Sequence, residues 1–360
     1  MQHRRRTIFI ITLLLLMFGV VMMYSSSAIY AYEEFQDSMF FLKKHLCFML
    51  IGFVAMFYIM SINIARIEEY SRIIMVLSAL TLLLVLVPGV GVIAGGARRW
   101  FRLLGGLSFQ PSEFAKFALI LYLADYLQRK GCAIKDLRLG YLPAVFVISL
   151  MCGLVLIQPD LGTAISIFFV GFLIVFIAGG ELKHIFSTVL LGLPFLYYLI
   201  FSVPYRRRRM LIFLDPWQDK SGAGFQIIQS LVAIGSGGLL GVGLGHSKQK
   251  LFYLPEAHTD FVFSIIGEEL GLIGGACIIA LFAMFVWQGM KAFFKEHRTF
   301  NKILIFGITN MIGLEAVINI GVCTGFFPTK GLPLPFISYG GSSLTFHMAA
   351  VGLMLNAMRE

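Results

Sequence analysis

Apolar residues run along this chain in long blocks, and polar residues fall mostly in the gaps between them. Ten blocks approach the ~20 residues a helix needs to cross a bilayer. They lie at roughly 7–31, 42–61, 70–88, 112–128, 142–157, 161–179, 184–203, 261–288, 303–325 and 340–357. None alternates with the period of two of a barrel strand, so helices are the predicted spanning element. The first block follows the basic start MQHRRR. It is too long for the apolar core of a signal peptide and no A-x-A cleavage pattern follows, so it reads as an uncleaved first span. One more uncharged stretch, FQIIQSLVAIGSGGLLGVGLG (225–245), holds six glycines, which suits a continuous lipid-facing helix poorly. It is expected to be an interfacial or re-entrant piece. The predicted architecture is an all-α polytopic membrane protein, one integral unit over 1–360 with ten transmembrane helices. A large extracytoplasmic loop, about 204–260, joins the seventh helix to the eighth.

Composition agrees with the pattern. The chain is 58% hydrophobic and 13% charged, and its mean hydropathy of +0.86 excludes the pair of soluble domains that 360 residues would otherwise suggest. Five cysteines show no paired spacing and no C-x-x-C. They read as buried small hydrophobes rather than as a disulfide framework or a zinc site. With both termini on the cytoplasmic side, the loops divide the 29 Lys and Arg fifteen inside to fourteen outside. The short loops follow the usual bias, whereas the two long outer loops break it. Cations gathered outside point to an anionic ligand there.

Three outer stretches are unusually polar or Pro/Gly-rich: GGARRWFRLLGGLSFQPSEFAK (95–116), residues 205–261, and FFPTKGLPLPFISYGGSS (326–343). In the first, Arg98, Arg99 and Arg102 flank Trp100, as an interfacial anchor or as phosphate contacts. Ser112 is placed to cap the fourth span, with Glu113 in its first turn and Lys116 one turn deeper, within reach of Glu113. A lysine entering an apolar span needs a reason. Arg206 to Arg209 form either a solvated run or a phosphate patch. Asp160 in QPDLGTA reads as an N-cap of the sixth span, and Asp215 in LDPW as turn chemistry. The stretch LPEAHTDFVF (254–263) sets Glu256, His258 and Asp260 directly before an apolar block. Glu268 and Glu269 follow about 12 Å further along the helix axis and turn away from Asp260, as structural partners. Asp260 itself, an acid at the mouth of a bundle facing basic loops, is the candidate functional group; an N-cap is its structural alternative.

These stretches resemble the SEDS family of peptidoglycan polymerases over nearly the whole chain. The similarity is carried by MYSSSA, GARRWFRLLGGLSFQPSEFAKFAL, IQPDLGTA, FLDPWQDKSGAGFQ through GEELGLIG, and PTKGLPLPFISYGGSS. It is strongest to the division branch, on HSKQKLFYLPEAHTDF and PTKGLPLPF, with the sporulation branch close behind. Contacts that some members make through a long N-terminal extension are not expected. The resemblance implies a ten-helix glycosyltransferase of the bacterial cytoplasmic membrane, working at the division septum on lipid II. Its partners would be a class B penicillin-binding protein, other division membrane proteins and the bilayer, with no nucleic acid. It also implies that Asp260 is the essential acid and that Arg99, Trp100 and Lys116 stand at positions the family needs. The candidate substrate-binding set is Arg98, Arg99, Trp100, Arg102, Glu113, Lys116, Glu256, His258, Lys330 and Ser338.

The residues suit this chemistry on their own account. A sugar hydroxyl is a poor nucleophile and needs one base within hydrogen-bond reach. A diphosphate leaving group needs cations rather than a second carboxylic acid, unlike the paired acids of glycosidases. One carboxylate among many arginines meets that need. A divalent cation such as Mg or Mn near Asp260 or the diphosphate stays open, although no second acid stands beside Asp260 to make an oxygen-ligand site, and no metal ligands are assigned. Two other readings stay open at this level: a flippase for a lipid-linked precursor, and a non-catalytic scaffold for the penicillin-binding protein.

Overall fold

Each of the ten apolar blocks lies on a helix of the structure. The computed structural model describes residues 1–94, 96–102, 107–219, 222–251, 253–329 and 331–359. Its helices are α1 (Gln2–Phe35), α2 (Phe40–Ser61), α3 (Ile64–Glu69), α4 (Ser71–Leu84), α5 (Pro111–Lys130), α6 (Leu142–Ile157) and α7 (Leu161–Ile177). There follow α8 (Leu182–Phe201), α9 (Pro204–Leu214), α10 (Ala223–Ser236), α11 (Val262–Lys295), α12 (Thr299–Cys323) and α13 (Gly341–Ala357). Among the described residues six helical segments are both long and apolar enough to cross a membrane. They are α1, α2, α6 with the π-turn before it, α8, α11 and α12. The chain is therefore a multi-pass membrane protein.

The expectation of helices alone needs correction. Residues 91–109 hold a small antiparallel sheet, β1 (Gly91–Ala94), β2 (Ala97–Arg102) and β3 (Ser108–Phe109), in the order β1-β2-β3. The strands lie in the loop between α4 and α5, where turns and hairpins satisfy their backbone locally, so membrane logic does not forbid them. Ser112 is not the cap of α5 either. Gln110 takes that position without a side-chain bond, Pro111 fills the first turn, and the buried Ser112 hydroxyl has no hydrogen-bond partner. Ser112 sits inside the helix, one residue past Pro111, and so is already beyond the cap position. Of the cysteines, only Cys152 and Cys323 are buried; Cys47, Cys132 and Cys277 are exposed.

Helices α5, α12 and α13 form the core of the bundle, each burying most of its length. Helix α13 lies close against α2 because Gly352 allows it: a Cβ there would stand 2.6 Å from the Met56 carbonyl oxygen. Small residues at such seams are what membrane helices use to approach closely. Helix α8, by contrast, has no buried residue. Helix α11 is broken near its start, where Gly271 adopts φ 66° and ψ −165°. The break is filled by the glycine-rich turn that follows α10. Amides of Val242 and Gly243 donate to the carbonyls of Glu268 and Glu269, and amides of Leu272 and Ile273 donate to those of Gly238 and Leu239. Interrupted backbone inside a bundle persists only when the protein supplies such partners. Within the 225–245 stretch, α10 leads into this turn.

Candidate active site

Asp260 is positioned by a turn rather than by its own helix. Glu256 takes a left-handed conformation, φ 58°, and its carbonyl accepts from the amides of Thr259, Asp260 and Phe261. Its carboxylate accepts from the Thr259 hydroxyl at 2.9 Å. The turn therefore rises straight into α11, and Asp260 stands two residues before Val262, not as a cap. From below, Asn319 of α12 donates to the Asp260 carbonyl at 2.9 Å and to the Leu332 carbonyl at 2.8 Å. One side chain so fixes the acid and the 331–339 loop together. The amide of Tyr339 donates to the His258 carbonyl, and a Cβ on Gly331 would lie 3.2 Å from Asp260 Oδ2. His258 packs against the rings of Tyr30, Phe41 and Tyr339 at 4.8–6.0 Å. Ser338 is buried, and its Oγ accepts from the Leu334 amide, so it closes the loop rather than facing outward. Lys330 lies outside the described residues.

The electrostatics single Asp260 out. Burial, then the negative charge of Glu256, pushes its carboxyl up to about 7; Arg209 opposes the shift and Asp160 adds to it. Burial also holds His258 below its ordinary value. By accessible surface Asp260 remains half-buried, so water reaches it. Arg209 comes from the four-cation run. Its guanidinium donates to the Thr329 carbonyl at 3.3 Å and lies 5.0 Å over the Tyr205 ring. Arg206 instead donates to the Leu199 carbonyl, and Arg208 pairs with Asp219 at 2.7 Å. Asp160 caps α7 as expected, accepting from Thr163 N and Oγ1.

Arg99 reaches the same region by a bulge. Val92 faces Trp100 and Ile93 faces Arg98, so Arg99 is the extra residue on its strand, and bulges re-aim side chains. Its guanidinium donates to the carbonyls of Gln158 and Pro159 at 2.8 and 2.6 Å. It thereby pins the turn that carries Asp160. Arg98 donates to the Leu86 carbonyl at 3.4 Å. Trp100 is half-buried and Arg102 exposed at the strand end. The arginines grouped in sequence around Trp100 thus have separate tasks.

Lys116 pairs with Glu113 at 2.9 Å, as its spacing predicts, but also with Glu315 of α12 at 2.5 Å. The other oxygen of Glu315 meets His347 Nε2 at 2.6 Å, and His347 Nδ1 meets Ser343 at 3.1 Å. All four ionisable groups are at most 4% exposed. Lys116, Glu315 and His347 lie about 8–12 Å inside the helix ends nearest Asp260, and Glu113 about 3 Å, counting 1.5 Å per residue. Sequence reasoning missed Glu315 and His347, although they are the lone acid and the lone histidine of their apolar blocks, neither of which holds a Lys or Arg. Glu268 and Glu269 are structural partners of the 245–250 loop. Glu268 accepts from the amides of Lys248 and Gln249 and from the Ser247 hydroxyl. Glu269 accepts from Lys250 Nζ at 2.7 Å and from Ser25 of α1 at 2.5 Å.

Among the described residues no three His, Cys, Asp or Glu side chains gather as metal ligands. The acids nearest Asp260 in charge are already engaged, Glu256 by Thr259 and Asp160 by Thr163. Among the described residues Asp260 is thus the one carboxylate here not already held by a neighbouring side chain, and the protein alone builds no closed cation cage.

Comparison with known proteins places this arrangement. Residues 5–360 match the family model FTSW_RODA_SPOVE, described as cell cycle protein. A relative from Geobacter metallireducens, named probable peptidoglycan glycosyltransferase FtsW, is 47% identical over 338 residues, 94% of this chain and 90% of its own length. Stage V sporulation protein E of Bacillus subtilis is 45% identical over 352 residues, 98% of this chain and 96% of its own. The fold superposes on a chain from a solved peptidoglycan synthase complex with TM-score 0.80 and 32% identity, covering 98% of this chain and 96% of that one. The rod-shape determining protein RodA of Thermus thermophilus follows at TM-score 0.72 and 29% identity, covering 98% and 95%. With a family match over nearly its full length, the chain belongs to the FtsW/RodA/SpoVE family of cell cycle proteins.

Proposed function

We propose that the chain is a peptidoglycan glycosyltransferase that polymerises lipid II into β-1,4 glycan at the outer face of the bacterial cytoplasmic membrane, during septal synthesis. The observation that carries this reading is Asp260: a half-buried carboxyl raised to about 7, beside Arg209, where three polar loops converge. A general base works best when its pKa lies near the operating pH. Asp260 would take the proton of the acceptor's C4 hydroxyl as that oxygen attacks the anomeric carbon. The bond to undecaprenyl diphosphate breaks on the opposite face, so the α-linked donor inverts to a β-linked product. Arg209 is the cation of the run set to face the developing negative charge, since an arginine fork matches phosphate oxygens. Arg99 acts one step back, holding the turn of Asp160. In this reading both termini are cytoplasmic, ten helices span, and a class B penicillin-binding protein associates with the bundle. The family comparison with a synthase complex supports the last point.

The pH profile of lipid II polymerisation tests the base. Only the carboxylate accepts a proton, so the rate should fall below an inflection near pH 7, about tenfold per unit. Glu256→Gln removes an anion that disfavours the Asp260 carboxylate, so the inflection should move to lower pH. A profile flat through this range in both proteins would rule out Asp260 as the base. A transporter or a scaffold would not tie its output to this one group.

A further inference from the structure

At the end of the bundle away from Asp260, a cavity of about 380 Å³ opens between the N-terminal turns of α1 and the last turns of α2 and α13. Its apolar floor is Phe9, Phe57, Met60 and Leu355, and its polar rim is Gln2, Arg5 and Arg6. The floor is rigidly set. Asn356 donates to the carbonyls of Ile59 and Ile62, both at 2.8 Å, and so fixes the end of α2. Arg359 donates to the carbonyl of Met60 at 3.5 Å, which places a third guanidinium beside the cavity. The ion pairs of the described arginines involve Arg72, Arg129, Arg208 and Arg298, none of them here.

We propose that this cavity binds an anionic phospholipid, its phosphate between Arg5, Arg6 and Arg359 and the start of its acyl chains on the Phe9–Phe57–Leu355 floor. Arginine forks match phosphate oxygens in pairs, and basic pockets between membrane helices select acidic headgroups. A zwitterionic headgroup would bring its own ammonium among three guanidinium groups. A free phosphate would leave the apolar floor uncovered, so the lipid is the occupant that matches both walls. The site is independent of the reaction proposed above, and only its assignment to the cytoplasmic leaflet rests on the orientation given there.

Native mass spectrometry of the full chain in detergent, titrated with dioleoyl phosphatidylglycerol or dioleoyl phosphatidylcholine, reads the preference directly. Wild type should retain one phosphatidylglycerol with about tenfold or greater preference, as two or three cations near a headgroup imply. Arg5→Gln/Arg6→Gln should bring the two lipids to within about twofold, while still binding phosphatidylcholine, which shows the fold is intact. Lys291→Gln/Lys295→Gln removes the same charge elsewhere and should leave the preference unchanged. The proposal is overturned if the arginine pair keeps the wild-type preference, or if the lysine pair loses it equally. It is also overturned if millimolar inorganic phosphate displaces the lipid, since the occupant would then be the free anion.

Discussion

Asp260→Asn should abolish glycan synthesis, with a loss of about 10²-fold or more, the usual contribution of a positioned general base. The assay is lipid II polymerisation by purified protein with its penicillin-binding protein present but chemically blocked. Asparagine keeps the shape and removes the proton acceptor. The variant should also be no less stable. Folding raises the Asp260 carboxyl from its ordinary value of 3.8 to about 7. Between those values the unfolded chain ionises while the folded one retains its proton, so stability falls as pH rises and stays lowered above 7. An uncharged side chain escapes that cost. A variant that is inactive yet melts at or above the wild-type temperature separates chemistry from structure. A variant that polymerises normally would leave Asp260 as a structural acid only.

Lys116→Met should have the second large effect, on stability. It would leave Glu113 and Glu315 buried beside each other with their shared cation gone, and breaking a buried pair in this way costs about 3–5 kcal/mol. Lys116→Met/Glu315→Gln should recover part of the loss, because partners in one network are not additive. Thermal unfolding of the detergent-solubilised protein measures both. Equal midpoints for wild type and Lys116→Met would show that the lysine neither neutralises nor organises its surroundings.

The pattern of apolar blocks was enough to locate the main helices, because twenty consecutive apolar residues have few other uses. It did not reveal α3 or α9, which are short or mixed in character and lie between blocks. The strand Ala97–Arg102 was hidden for a different reason: six residues are too few for a period of two to stand out against three arginines and a tryptophan. Local chemistry was legible where partners are close in sequence, as with the Asp160 cap and the Glu113–Lys116 pair. It was illegible where they are far apart. Glu315 and His347 are 199 and 231 positions from Lys116, and nothing local says that α5, α12 and α13 meet. They were nevertheless the lone acid and the lone histidine of their blocks, which in a membrane segment is a sufficient reason to look for a partner.

The interruption at Gly271 has a bearing on how the protein comes apart. Four hydrogen bonds cross between 238–243 and 268–273, two in each direction. All four join the same two short stretches of backbone, so losing one loosens the others. The turn and the helix start should therefore open as one cooperative unit, and the amide protons of Val242, Gly243, Leu272 and Ile273 should exchange with solvent at a common rate. The lower part of α11 can fluctuate on its own, whereas the segment next to Asp260 moves only with the loop that latches it.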